Sequence, residues 1–169
     1  MSYRNKTYVA FASEDIKHYW LMEAWRDNAN IDFDFFDAHD LNTAKDTSQP
    51  ETIRRRLLER LNNTKQVVLL GSARGKSKAG DGESFLFYEI ETISRLNLPV
   101  VVANLDGDRT VDRAFIPKRF LDSSYYTLSV SFQPKIIKYA LDNYAPGFAA
   151  SEASGPYYYK PSVYESLGL

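Results

Sequence analysis

The sequence contains no cysteine. That absence excludes disulfide bonds, a thiol nucleophile and any Cys-ligated zinc or iron–sulfur site. Neither sign of charge is in excess, because 21 lysines and arginines stand against 22 aspartates and glutamates among the 169 residues. A nearly neutral chain has no electrostatic footprint for duplex nucleic acid or for an anionic membrane. We therefore expect neither nucleic acid nor a membrane as a partner.

Long apolar runs are also lacking. No segment approaches the roughly 20 apolar residues that a membrane-spanning helix requires, and the N-terminal stretch turns polar too soon for a signal peptide. These absences predict a cytoplasmic protein. A chain of 169 residues is long enough to bury the core of one domain.

What the sequence does contain is an alternation of short apolar segments with helical patterns. Strands are predicted at residues 6–12, 31–38, 65–72, 98–105 and 125–132. Helices are predicted from Ser13 over about four turns, from Pro50 to residue 63, from residue 83 to 97 and from Pro134 to about Tyr144. Residues 31–38 alternate apolar side chains with Asp, which is typical of an edge strand with one wetter face.

This alternation predicts an α/β fold, with one domain over residues 1–145 that has a five-stranded, mainly parallel sheet and helices on both faces. Residues 146–169 are predicted to form an irregular tail that packs on the domain or extends from it. In sheets of this kind, functional groups collect at the carboxyl ends of the strands. Those ends are Phe11–Asp15, Asp37–Asp40, Gly71–Arg74 and Asn104–Asp108.

The third strand ends in GSARGKS, which is one residue short of the phosphate-binding pattern G-x-x-x-x-G-K-[ST]. The residues that follow, KAGDG, do not suit the helix that this pattern requires. We predict a flexible basic loop over residues 73–82 instead.

Three other sites are not supported by the sequence. Ala12 and Ser13 stand after the first strand, where the dinucleotide fingerprint G-x-G-x-x-G would begin. Gly71 and Ser72 stand where a phosphoacceptor domain needs an aspartate. The segment DAHD around His39 offers ligand types but not the spacing of a known metal motif, so we expect a solvated turn and no metal site.

Five segments together carry a family resemblance. They are VAFASEDI, FFDAHDLN, KDTSQPETIRRRLLERLNNTKQVVLLGS, FLFYEIE and LPVVVANL, between Val9 and Leu105. In these segments the chain resembles the TIR-like proteins of bacterial Thoeris anti-phage systems, the ThsB group. The resemblance implies a three-layer, flavodoxin-like or TIR-like fold.

The resemblance also implies an activity. It implies cleavage of NAD, with a glutamate in the helix after the third strand beside the nicotinamide ribose, and that position corresponds to Glu89. Phe85 stands four residues earlier, where many TIR enzymes have Trp, and supplies an apolar wall. NAD is then a substrate, and no cofactor is expected. The expected partners are further copies of the chain and a separate effector, reached through a cyclic or conjugated nucleotide.

Six further residues are candidates for substrate contacts, each with a plainer interpretation. Phe11 and Ser13 could hold the nucleotide, or they could be a core aromatic and a helix cap. Asp37 and Asp40 could bind ribose or shape their loop. Ser72 and Arg74 suit a phosphate contact or a basic surface loop.

Two alternatives to the enzyme remain open. A non-catalytic TIR-like module would signal by self-assembly, with Glu89 as a surface residue, because a fold does not by itself establish catalysis. A flavodoxin-like nucleotide binder without turnover shares the same sheet class.

Overall fold

A computed structural model describes residues 6–37 and 49–169 of the chain. Its strands are β1 Lys6–Ala10, β2 Phe36–Asp37, β3 Gln66–Gly71, β4 Val100–Asn104, β5 Thr127–Ser131 and β6 Pro156–Tyr158. They form one sheet in the order β2-β1-β3-β4-β5-β6, and every pair of neighbours is parallel. The predicted α/β fold with a parallel sheet is confirmed.

Seven α-helices connect and cover the strands within the described residues. They are α1 Ile16–Asp27, α2 Pro50–Leu61, α3 Ala73–Ala79, α4 Phe85–Arg95, α5 Lys118–Asp122, α6 Pro134–Gly147 and α7 Pro161–Ser166. None of these helices combines the length and the apolar character that crossing a bilayer demands. As the sequence predicts, α2 begins at Pro50 with Glu51 in its first turn.

Each face of the sheet carries its own core, because side chains alternate along a strand. On β1, Val9 points into the core made with α1 and α6. Its neighbours Tyr8 and Ala10 point into the other core, which is made with α2, α4 and α5. β3 and β4 are buried along their whole length, which accounts for their continuous apolar sequences.

The basic segment after β3 is a helix, so the prediction of a flexible loop over residues 73–82 is wrong. Ser72 caps α3 by accepting a hydrogen bond from the Gly75 amide at 2.9 Å. Ala, Arg and Lys are good helix formers, and Gly80 ends the helix. The polar composition reflects an exposed helix rather than an irregular chain.

The second strand begins later than its alternating pattern predicts. Among the described residues 31–37, only Phe36 and Asp37 pair with β1, although Phe33 and Phe35 are buried and Asp32 and Asp34 are exposed as expected. The pattern therefore reported which side chains are buried, but not whether the backbone pairs. β2 lies at the edge of the sheet, as predicted.

The prediction of an irregular tail is also wrong. Residues 156–158 add β6 beside β5, and α7 follows. Tyr164 of α7 is fully buried, and its hydroxyl accepts a hydrogen bond from the Ser131 amide at 3.1 Å. Both elements are too short to show a periodic pattern, and contacts with β5 stabilise them.

Candidate functional site

The order of the strands marks one crevice in the sheet. The chain adds β2 on one side of β1 and β3 on the other, so the direction of winding reverses between β1 and β3. Ligands of open parallel sheets bind outside the carboxyl ends of the strands at such a point. The segments that lie there are 11–15 after β1 and 72–74 after β3.

These two segments meet through a buried carboxylate. The side chain of Asp15 has no exposed surface. Its Oδ2 accepts a hydrogen bond from the Ser72 hydroxyl at 2.5 Å, and its Oδ1 pairs with Arg74 at 3.3 Å. Sequence reasoning included Asp15 in the segment after the first strand but assigned its side chain no functional role. Nothing in the sequence pattern showed that Asp15 would contact Ser72 and Arg74, which lie 57 and 59 positions further along the chain.

Arg74 is anchored on one side and open on the other. Its guanidinium pairs with Asp15, while 64% of its side chain remains exposed. A second ion pair, at 3.8 Å between Lys78 and Glu14, ties the same two segments together. The contact of the buried Asp15 with Arg74 holds the start of α3 against the turn that precedes α1, whereas the partly exposed Lys78–Glu14 pair adds little.

Glu89 lies on the inner side of α4. The helix begins at Phe85, which is half-buried, and Ser84 caps it by accepting a hydrogen bond from the Leu86 amide at 3.1 Å. Glu89 follows one turn later and is only 1% exposed. The prediction of its place in this helix is confirmed, but the surface position that the interaction-module alternative assumes is not.

Tyr8 on β1 interacts with both Glu89 on α4 and Arg60 on α2. Burial raises the pKa of the Tyr8 hydroxyl well above its usual value, the nearby Glu89 carboxylate raises it further, and Arg60 opposes the shift. Glu89 therefore belongs to a polar group that spans β1, α2 and α4, in which Tyr8 and Glu89 are buried and Arg60 is half-buried. Sequence reasoning missed both Tyr8 and Arg60.

A surface contact joins α2 to α4 beside Glu89. Arg54 of α2 pairs with Glu91 at 3.3 Å and lies over the Tyr88 ring, 5.2 Å from its centroid. Tyr88 and Glu91 flank Glu89 on α4. We call Arg54, Tyr88 and Glu91 the α2–α4 clasp.

Phe11 and Ser13 differ in their surroundings from Glu89. Phe11 points into the core on the opposite face of the sheet and stacks on Tyr19, with ring centroids 5.0 Å apart. Ser13 is exposed and begins a 3₁₀ turn, and its side chain caps no helix. The structure therefore does not bring Phe11 and Glu89 together.

The two predicted aspartates after β2 are only partly described. The backbone of Asp37 pairs beside Thr7, four residues before Phe11, which is about 13 Å along the strand at the usual rise. Asp37 therefore lies well short of the carboxyl end of β1. Asp40 and His39 lie outside the described residues.

Three carboxylates come together in the loop after β4. Oxygen atoms of Asp106, Asp108 and Asp112 lie within 4.8 Å of one another. Asp108 accepts hydrogen bonds from Thr110, and Asp112 accepts one from the Ala114 amide at 2.9 Å. These bonds shape the loop itself.

The family model for the Thoeris protein ThsB, TIR-like domain, matches residues 8–110, which is more than half of the chain. The chain belongs to the Thoeris ThsB family. This membership gives it a role in anti-phage defence. The matched range of the ThsB TIR-like domain runs from within β1 to the loop after β4 and includes Asp15, Ser72, Arg74 and Glu89. A search among curated proteins found no match.

Proposed function

We propose that this ThsB protein cleaves NAD between nicotinamide and ribose, with Glu89 as the catalytic carboxylate. The ADP-ribosyl part would then pass to an internal or external acceptor. The product is a cyclic or conjugated nucleotide, which diffuses to a separate effector after phage infection. NAD is the substrate, and no resident cofactor is needed.

The observation that carries the proposal is a carboxylate buried to 1% exposure in the helix after β3 of a ThsB TIR-like domain. Nicotinamide is cationic in NAD and leaves as a neutral molecule, so no strong nucleophile is needed. The ribose becomes oxocarbenium-like, and a fixed negative charge close to it lowers the barrier. Such a charge acts more strongly in an environment of low dielectric constant than in water.

Burial also sets a condition on the reaction. NAD can reach Glu89 only after the elements around it separate. Arg60 of α2 interacts with Tyr8, which also interacts with Glu89. The α2–α4 clasp joins α2 to α4 as well. We infer that separation of α2 from α4 is the movement that admits NAD, and that self-association of the chain drives it.

One observation favours a second function. Glu89 and the half-buried Arg60 both interact with the fully buried Tyr8, as expected for a polar group that holds three elements in register. In that case the domain is an interaction module without catalysis, and Glu89 only stabilises it.

A comparison of Glu89→Gln with the wild type separates the two functions. Gln keeps the size and hydrogen-bonding groups of the side chain but removes its charge. Concentrated protein is incubated with NAD, with and without lysate from phage-infected cells, and nicotinamide and nucleotide products are followed by mass spectrometry. The proposed enzyme loses nicotinamide release in Glu89→Gln, while its thermal unfolding stays cooperative.

Glu83→Gln is the matched control, because Glu83 is exposed just before α4 and should keep full activity. Equal, negligible release from wild type and both variants would favour the interaction module. The mass of the product that accompanies nicotinamide would identify the acceptor.

A further inference from the structure

We propose that Asp15 is a positioning residue, which holds the guanidinium of Arg74 over the crevice between β1 and β3 so that Arg74 binds the pyrophosphate of the dinucleotide. This inference rests on the proposed function, because it takes NAD as the ligand. It adds the place where the phosphates bind and the residue that prepares that place.

The burial of Asp15 supports this role. An ionised carboxylate removed from water is costly unless it is paired and hydrogen-bonded. Asp15 is fully buried, and its described side-chain partners are the Ser72 hydroxyl and Arg74. A capping role alone would be served by a neutral Ser or Asn. The buried negative charge is explained if its task is to orient the positive charge of Arg74.

The geometry of Arg74 is also suited to binding phosphate. One terminal nitrogen is bound to Asp15, and most of the side chain is exposed. A free surface arginine samples many rotamers, whereas an anchored one presents the rest of its planar fork in one direction. That fork matches phosphate oxygens through paired hydrogen bonds.

Asp15 and Arg74 also lie where a nucleotide phosphate is expected. The Asp15–Arg74 pair lies at the carboxyl ends of β1 and β3, where the winding of the sheet reverses and where nucleotide phosphates are bound in sheets of this class. α3, which carries Arg74, packs against α4, which carries Glu89. A dinucleotide with its pyrophosphate at Arg74 can therefore extend along these packed helices toward Glu89.

The test uses binding of ADP-ribose and of adenosine, measured by calorimetry on the full chain. ADP-ribose carries the pyrophosphate but no nicotinamide, so its binding does not depend on cleavage. We expect Arg74→Gln to weaken ADP-ribose binding about tenfold or more, and Asp15→Asn to weaken it to a similar extent. Adenosine, which has no phosphate, should bind equally to all variants.

A double variant that combines Asp15→Asn with Arg74→Gln shows whether Asp15 acts through Arg74. If it does, Asp15→Asn adds little to Arg74→Gln, because the group it positions is already gone. Lys78→Gln is the matched control on the same helix and should change ADP-ribose affinity by less than about twofold, since Lys78 pairs with Glu14 rather than Asp15.

Several results would overturn the proposal. They are wild-type protein that does not bind ADP-ribose, Arg74→Gln that binds it normally, additive losses in the double variant, or an equal loss for adenosine in Asp15→Asn. Arg74 is exposed, so Arg74→Gln remains informative even if Asp15→Asn fails to fold. ADP-ribose binding that depends on Arg74, without any release of nicotinamide from NAD, would sink the proposed function and leave the phosphate site standing.

Discussion

The guanidinium carbon of Arg54 lies 5.2 Å from the centroid of the Tyr88 ring, and its Nε is 3.3 Å from a carboxylate oxygen of Glu91. Arg54 thereby fastens α2 to the helix that carries Glu89. α2 leads into the start of β3 and α4 leads into the start of β4, and Arg54 and Tyr88 lie in the N-terminal halves of these helices, away from those strand starts. The α2–α4 clasp therefore lies toward the edge of the sheet from which a nucleotide would approach.

Arg54→Ala should make separation of α2 from α4 more frequent. An exposed ion pair and a cation–π contact together contribute about 1 kcal/mol. The fraction of molecules in which α2 and α4 are separated should therefore rise roughly fivefold. Hydrogen–deuterium exchange of the α4 amides measures this directly. Glu89-dependent nicotinamide release should rise with it.

Arg55→Ala is the control for this prediction, because Arg55 is exposed on the same helix and has no part in the α2–α4 clasp. Equal exchange in the two variants would show that Arg54 does not restrain the helices.

Gly71→Ala should destabilise the fold by about 1–3 kcal/mol, because the added methyl group would overpack the contact between β3 and β4. A Cβ at this position would lie 3.0 Å from Val102 Cγ1 and 3.1 Å from Asn104 Oδ1. Gly82→Ala meets nothing within 4 Å and should change stability by less than about 0.5 kcal/mol. Urea unfolding of both variants measures the difference, and similar midpoints would contradict the prediction.

Tyr164→Phe should destabilise the protein by about 1–3 kcal/mol, since it leaves the buried Ser131 amide without its acceptor. Tyr158→Phe provides the comparison, because Tyr158 is 52% exposed. If thermal denaturation shows no difference between the two variants, the α7 contact does not stabilise β5.

Stability should fall steeply in alkaline solution. Burial is the main cause that raises the pKa values of Tyr8, Tyr125, Tyr144 and Tyr159 above their usual range. The unfolded chain ionises these phenols near pH 10, whereas the folded chain keeps them protonated. The contribution of these tyrosines to the free energy of unfolding is therefore fully present below about pH 10. Above that pH it declines by about 1.4 kcal/mol per pH unit for each such tyrosine.

Tyrosinate absorbance and circular dichroism, recorded along the same titration, test this. We expect the absorbance change of these tyrosines to coincide with loss of structure. Ionisation of all tyrosines near pH 10, with the fold retained, would show that burial does not shift them.

Much of the fold was readable from residue patterns. The apolar runs of β3 and β4 predicted buried central strands, and Pro50 with Glu51 predicted the start of α2. These signals are local, because a strand buried on both faces must be apolar throughout and a helix start has few suitable residues. The short elements α3, β6 and α7 gave no such signal.

The candidate site was predictable only residue by residue. Glu89, Ser72 and Arg74 were named from the sequence, but Asp15 was not, because its role depends on partners more than fifty positions away. From the sequence alone, Phe11 was as suitable a candidate for a substrate contact as Ser72. Its side chain nevertheless points to the face of the sheet opposite Glu89.

By itself, then, the sequence determined the sheet class, the central strands, the family and the helix that carries Glu89, because each depends on local pattern or on residue identity. The tertiary structure decided that Glu89 is buried, that Arg54 of α2 pairs with the helix carrying Glu89, and that Asp15 anchors Arg74. The physical reason is that burial and charge pairing depend on which distant elements pack together, and residue spacing along one strand or helix carries no information about its packing partner.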